Sequence, residues 1–148
     1  MRQRMEAASK IPRWVFCDFK VGRGGSVDLE FIAQYLQLIH LKEDPGLMGI
    51  GPLGVIPRVA EAGWLEPSLA RQLTTDYIWL RRLERRTRLL FESERTYLPS
   101  SGEKLEALEA ACRHLLEDTP GDLLEIVTAI QVRNRKHFNM ILQEKPKP

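Results

Sequence analysis

The sequence has little that marks a secreted, membrane-bound or nucleic-acid-binding protein. Its two cysteines, Cys17 and Cys112, lie far apart and form no Cys-x-x-Cys pair, so they give neither a disulfide framework nor a zinc site. A reducing cytoplasm is the simplest home. No apolar run approaches the roughly 18 to 20 residues of a membrane span. Residues 1–11 carry Arg2, Arg4, Glu6 and Lys10 where a secretory leader needs an apolar core. A net charge of +2 over 148 residues is too small to imply nucleic acid. Internal repeats and low-complexity stretches are missing as well. Strands are scarce, since period-two alternation occurs convincingly once.

What is present is the composition of an ordinary folded domain, 43% hydrophobic and 28% charged, long enough for one self-sufficient core. Residues 1–13 read as the tail of an upstream helix or a linker, residues 14–143 as a single helical bundle domain, and residues 144–148 as a frayed tail. The expected fold is all-α, an up-and-down bundle of about five helices with a short extended N-terminal segment. In that segment Val15, Cys17, Phe19 and Val21 fall on one face, and Trp14, Phe16, Asp18 and Lys20 on the other. No ladder partner is evident downstream, so the segment either runs over the helices or pairs outside the chain.

A helix over residues 27–41 has Val27, Phe31, Ile32, Tyr35, Leu36, Leu38 and Ile39 as its apolar arc, with Asp28 projecting into that arc and His40 solvated at its end. A Gly/Pro loop over residues 42–51, a lid or simply a link, leads to a short helix over 57–62 that stops at Gly63. The longest helix, 67–94, places Leu69, Leu73, Tyr77, Leu80, Leu83, Thr87 and Leu90 on one seam. Its Arg81, Arg82, Arg85, Arg86 and Arg88 read as a solvated face or as a patch for an acidic or phosphate-bearing partner. Ser100 and Glu103 have capping-box spacing for a helix to residue 116, with Leu105, Leu108, Cys112 and Leu115 inward. Thr119 and Pro120 open a last helix with the stripe Leu123, Val127, Ile130, Phe138 and Ile141; Cys112 and His137 read as core or boundary residues.

Residues 18–31 organise the rest. Gly24 and Gly25 permit positive φ or an unusually close backbone approach, and Ser26 sits where an N-cap belongs. One reading makes the backbone N–H groups of residues 24–28, with Lys20 and Arg23, an anion site at a helix mouth. The other is a Gly-Gly turn whose helix start is neutralised by Asp28 and Glu30, with Arg23 paired to one of them. Gly25-Ser26 beside Asp28 and Glu30 also imitates the loop-and-carboxylates pattern of metal-dependent nucleotidyl transfer. Carboxylates at i and i+2 on a helix lie roughly 200° apart, however, so no metal ligand or catalytic residue is expected here.

The pattern Asp18-x-Lys20-x-Gly22-Arg23-Gly24-Gly25-x-x-Asp28-Leu29-Glu30-Phe31-x-x-Gln34-Tyr35 closely resembles the signature of the glutamine synthetase adenylyltransferases, two-headed enzymes that adenylylate and deadenylylate glutamine synthetase. Val59-Ala60-Glu61-Ala62-Gly63-Trp64-Leu65 and the run from Asp76-Tyr77-Ile78-Trp79-Leu80-Arg81 to Leu89 extend the resemblance over residues 14–95. It implies a helical bundle following a nucleotidyltransferase domain, with the signature at their junction. The chain looks like the C-terminal helical domain alone, without the domain that holds the metal-binding carboxylates, so turnover by this piece is not expected. ATP and magnesium are implied for the parent enzyme, with Lys20, Arg23, Gly24, Gly25, Asp28 and Glu30 on the nucleotide side. Glutamine synthetase, an upstream nucleotidyltransferase domain and a nitrogen-signalling protein are the implied partners, and Arg81, Arg85 and Arg88 the candidate partner contacts. Two functions follow: an accessory domain closing over nucleotide, or a helical module docking an acidic partner.

Overall fold

The amphipathic stretches fold as helices around one apolar core in a computed structural model that describes residues 2–4, 11–92, 94–119 and 121–143. In chain order come β1 (Val15–Asp18), α1 (Ser26–His40), a 3-10 turn (Pro45–Leu47), α2 (Pro52–Glu61), α3 (Pro67–Phe91), β2 (Tyr97–Pro99), α4 (Glu103–Ala111), α5 (Arg113–Leu116) and α6 (Leu123–Gln143). The expected helical bundle is therefore the fold. No helix among the described residues is long and apolar enough to cross a membrane. Residues 2–4 are helical, while most of the expected N-terminal helix tail, Pro120 and the tail from residue 144 lie outside the described residues.

Helix α1 is central, touching α2, α3 and α6. Its inward face is Leu29, Ile32, Ala33 and Leu36, with Leu38 and Ile39 turned outward at 73% and 40% exposure. The expected arc was thus rotated, because α6 covers the side of α1 near its start and, among the described residues, the far end of the Leu38 side stays exposed. His40 stacks flat on Trp64, ring centroids 4.2 Å apart, instead of standing free in solvent.

The extended segment has its partner inside the chain. β1 pairs antiparallel with β2, Val15 opposite Pro99 and Asp18 opposite Tyr97, with a bulge between Val15 and Cys17. Three residues are too few to display an alternating pattern, so Tyr97 to Pro99 read only as a helix breaker. Ser100 does not cap a helix; its Oγ and N–H both donate to the Trp14 carbonyl and continue the ladder. Gly102 is the N-cap of α4, and the helix expected to reach residue 116 breaks at Cys112.

Four further expectations shift. The 42–51 loop is pinned by buried Leu47, by the Asp44–Arg58 ion pair and by Gln37, whose amide donates to the Leu47 carbonyl. Helix α2 begins at Pro52, which has no N–H to lose there, and carries Pro57 inside it. Helix α6 is capped by a reciprocal pair, Glu125 N–H to Asp122 Oδ1 at 2.9 Å and Asp122 N–H to Glu125 Oε2 at 3.2 Å, in place of Thr119. The α3 seam runs through Leu73, Tyr77, Leu80, Leu83 and Thr87 as expected, but Leu90 is 39% exposed and Asp76 and Glu84 are buried beside the seam.

Candidate functional site

The glycine stretch forms a tight loop between β1 and α1, anchored by Asp18. The Asp18 carboxylate is buried because it bends back on its own chain, accepting the N–H groups of Lys20 and Val21 at 3.0 Å and the Thr96 hydroxyl at 2.7 Å. That local capture removes it from the solvent face assigned by alternation.

The amide cradle expected at the helix mouth does not form. Gly22, Gly25, Ser26, Val27 and Asp28 donate their N–H groups to the carbonyls of Asp18, Gly22, Phe19, Lys20 and Gly25, and Gly24 donates to Asp28 Oδ2 at 2.6 Å. The donors that an anion would need are spent on the loop itself. Ser26 is the first helical residue, Gly25 the N-cap, and no side chain of the cap bonds the helix mouth. Gly24 has φ +75°, and a Cβ there would overlap the Gln131 carbonyl of α6. Gly25 has an ordinary φ of −73°; it must be glycine because a Cβ would lie 2.5 Å from the Lys20 oxygen and 2.6 Å from the Phe19 oxygen.

Helix α6 clasps this loop. Asn134 Nδ2 donates to the Gly24 carbonyl and Gln131 Nε2 to the Asp18 carbonyl, both at 3.2 Å. Asp28, with no exposed surface, receives Arg2 from the N-terminal segment and Arg135 from α6, and Arg2 also donates to the Gly22 carbonyl at 2.8 Å. The charge in the apolar arc is therefore both a cap and the hub of a buried ion cluster. Glu30 points elsewhere, accepting the Tyr77 hydroxyl at 3.4 Å. Burial and the Glu30 charge raise the Tyr77 pKa.

The remaining sequence candidates divide between two sides of the loop. Lys20 reaches α3, where its Nζ lies 2.9 Å from Glu84, and the same carboxylate takes Arg81 at 2.6 Å and Arg88 at 2.8 Å. One nucleotide-side candidate and two partner-side candidates are thus a single cluster. Arg85 is exposed, and Arg86 is occupied as a staple to the Ala111 carbonyl. Arg23 is neither at Asp28 nor at Glu30. It is the exposed residue of a turn in which Val21 and Gly22 are half-buried and Gly24 and Gly25 buried, and it lines a cleft of about 480 Å³ with Phe16, Val132, Arg135 and Lys136. The α6 contributors were missed because a helix of mixed polarity gives no sign of which polar residues face a loop more than 100 positions away. Only the charge at Asp28, set in the apolar arc, signalled that this residue caps the helix, pairs with a cation or meets a ligand.

A further buried carboxylate, Asp76, ties α3 to α6. Arg133 holds it with two bonds of 2.7 and 2.9 Å, which raises the Arg133 pKa further, and Gln72 adds a third at 3.0 Å. His137 lies near this pair, its Nδ1 buried without a hydrogen-bond partner among the described residues and its pKa lowered chiefly by burial.

The sequence model of the family described as GlnD PII-uridylyltransferase matches residues 1–142. The bifunctional glutamine synthetase adenylyltransferase/adenylyl-removing enzyme of Chromobacterium violaceum is 31% identical over 124 residues, 84% of this chain and 14% of that protein. Proteins of the same name from Aromatoleum aromaticum and Mycobacterium tuberculosis are 36% identical over 94 residues and 33% over 107 residues, covering 64% and 71% of this chain. The chain spans 10–14% of the length of these relatives. With the glycine loop and the arginine-bearing helix inside the matched region, this chain belongs to the GlnD PII-uridylyltransferase family, alongside the glutamine synthetase adenylyltransferase/adenylyl-removing enzymes.

Proposed function

We propose that this chain serves as the helical accessory domain of a glutamine synthetase adenylyltransferase/adenylyl-removing enzyme, beside a nucleotidyltransferase domain that uses ATP and magnesium to modify glutamine synthetase. The observation that carries this reading is the posture of Arg23. The residues on either side of it in the turn are locked by hydrogen bonds, by Gly24 packed on α6 and by the buried Asp28 cluster, so the loop is a rigid mount that projects one guanidinium into solvent. Lys136 and the exposed rings and methyls of Phe16 and Val132 flank it. Such a surface suits a neighbouring domain that presents phosphate or acidic groups.

On this reading Arg23 contributes on the nucleotide side, Gly24, Gly25 and Asp28 build its mount, and Lys20 and Glu30 belong to the α3 side. The chain alone transfers no adenylyl group. The test is the ATP dependence of the full-length enzyme carrying Arg23→Ala. Its ATP KM should rise about tenfold, the loss of one charge-assisted contact, while the bundle stays folded. Unchanged kinetics would retire Arg23 from nucleotide handling and leave the loop a structural junction.

A further inference from the structure

Positive charge gathers on the face of α3 that meets Lys20 of the glycine loop. Positions 81, 84, 85 and 88 follow three- and four-residue steps and share one stripe of the helix. Glu84 is 5% exposed at its side chain; its Oε1 receives Lys20 and Arg88, and its Oε2 receives Arg81. One arginine would satisfy a carboxylate. Three cations drawn onto one repel each other at short range, and a second anion on the outer side relieves that repulsion. Arg81 and Arg88 keep 48% and 47% of their side chains exposed, so the donors of their forks not spent on Glu84 face solvent. Arg85 stands exposed on the same stripe, and one turn earlier Tyr77 reaches Glu30. Among the described ion pairs of this cluster, the three cations Lys20, Arg81 and Arg88 against the single carboxylate of Glu84 leave two positive charges uncompensated, with Arg85 beside them.

We propose that Lys20, Arg81, Arg85 and Arg88 form a binding site for a compact multivalent oxyanion of the phosphate class, seated on the solvent side of Glu84. A dianion matches the uncompensated charge and offers oxygens to more than one guanidinium fork, whereas a lone carboxylate neutralises half of it. The site is separate from the Arg23 cleft, and its test needs no nucleotidyl transfer, so it stands or falls apart from the accessory-domain reading.

Calorimetric titration of the chain with inorganic pyrophosphate in about 50 mM salt, where screening is modest, should show saturable binding. Arg81→Gln/Arg88→Gln should weaken it at least about tenfold, the loss of two charge-assisted contacts. Arg82→Gln, exposed on the same helix but off the stripe, should leave it unchanged. Glu84→Gln, which removes the competing carboxylate and keeps its shape, should tighten it. If that variant misfolds by circular dichroism, the comparison of the double variant with Arg82→Gln decides alone. ATP binding with the affinity of pyrophosphate assigns recognition to free phosphate groups, and ATP binding that is tighter and base-dependent assigns it to a nucleotide; both support the site. Absence of saturable heat, equal weakening by Arg82→Gln, or binding of polyglutamate but not of pyrophosphate overturns it.

Discussion

Gly24 and Gln131 touch backbone to backbone: the glycine Cα rests against the α6 carbonyl, and a Cβ on Gly24 has no room there. This contact, at φ +75°, fixes the distance between the signature loop and the last helix. Gly24→Ala is expected to cost about 2 to 5 kcal/mol, combining left-handed strain with overpacking. Gly63→Ala, at φ +80° with nothing within 4 Å of its Cβ, should cost only the conformational part, about 1 to 2 kcal/mol. Urea unfolding of both variants checks this, and equal losses would mean that the α6 contact yields freely.

The buried ion cluster makes a second forecast. Asp28→Asn leaves the guanidinium groups of Arg2 and Arg135 facing each other without their carboxylate, at an expected cost of about 3 to 5 kcal/mol. Arg23→Ala, three residues after Lys20 in the same loop but exposed, should cost about 0 to 1 kcal/mol. Denaturant midpoints that rank the two variants the other way round would show that the loop is held by something else.

Arg133→Lys tests the tie between α3 and α6. A lysine cannot reproduce the two-pronged grip on Asp76, so part of a buried carboxylate loses its donor, at about 1 to 3 kcal/mol. Full stability in the lysine variant would show that one ammonium satisfies Asp76.

Burial sets the pH response of His137. Its folded pKa lies below the ordinary 6.5, so the unfolded chain binds the proton more readily. The stability contribution is complete above 6.5 and is lost as pH falls from there through the lowered folded value. Urea midpoints measured from about pH 7.5 to about pH 5 should fall less steeply in His137→Phe than in the parent chain. Parallel slopes would assign the acid response to other groups.

Burial also quiets both thiols, pushing Cys17 up to about 12 and Cys112 up to about 11. Iodoacetamide near neutral pH should label the folded chain at least about tenfold more slowly than the urea-unfolded chain. Rapid labelling of Cys17 in the folded state would show a thiolate where the surroundings disfavour one.

The sequence by itself determined the helices, because periods of three and four residues and proline or glycine boundaries are local properties: α1 and α3 lie within a few residues of their expected spans. It also marked the glycine loop and showed a charge at Asp28 that needed a partner. Tertiary structure decided what those features are for. Tyr97 to Pro99 became a strand because β1 required a ladder partner. Gly24 and Gly25 serve close packing instead of an anion, because α6 and the loop's own carbonyls consume the space and the donors. Lys20, Arg81 and Arg88 became one cluster because Glu84 lies at the buried edge of α3, 64 residues along the chain from Lys20. Periodicity encodes which face of a helix is apolar. Which polar residue meets which across the core depends on how helices settle against one another, and no local pattern records that.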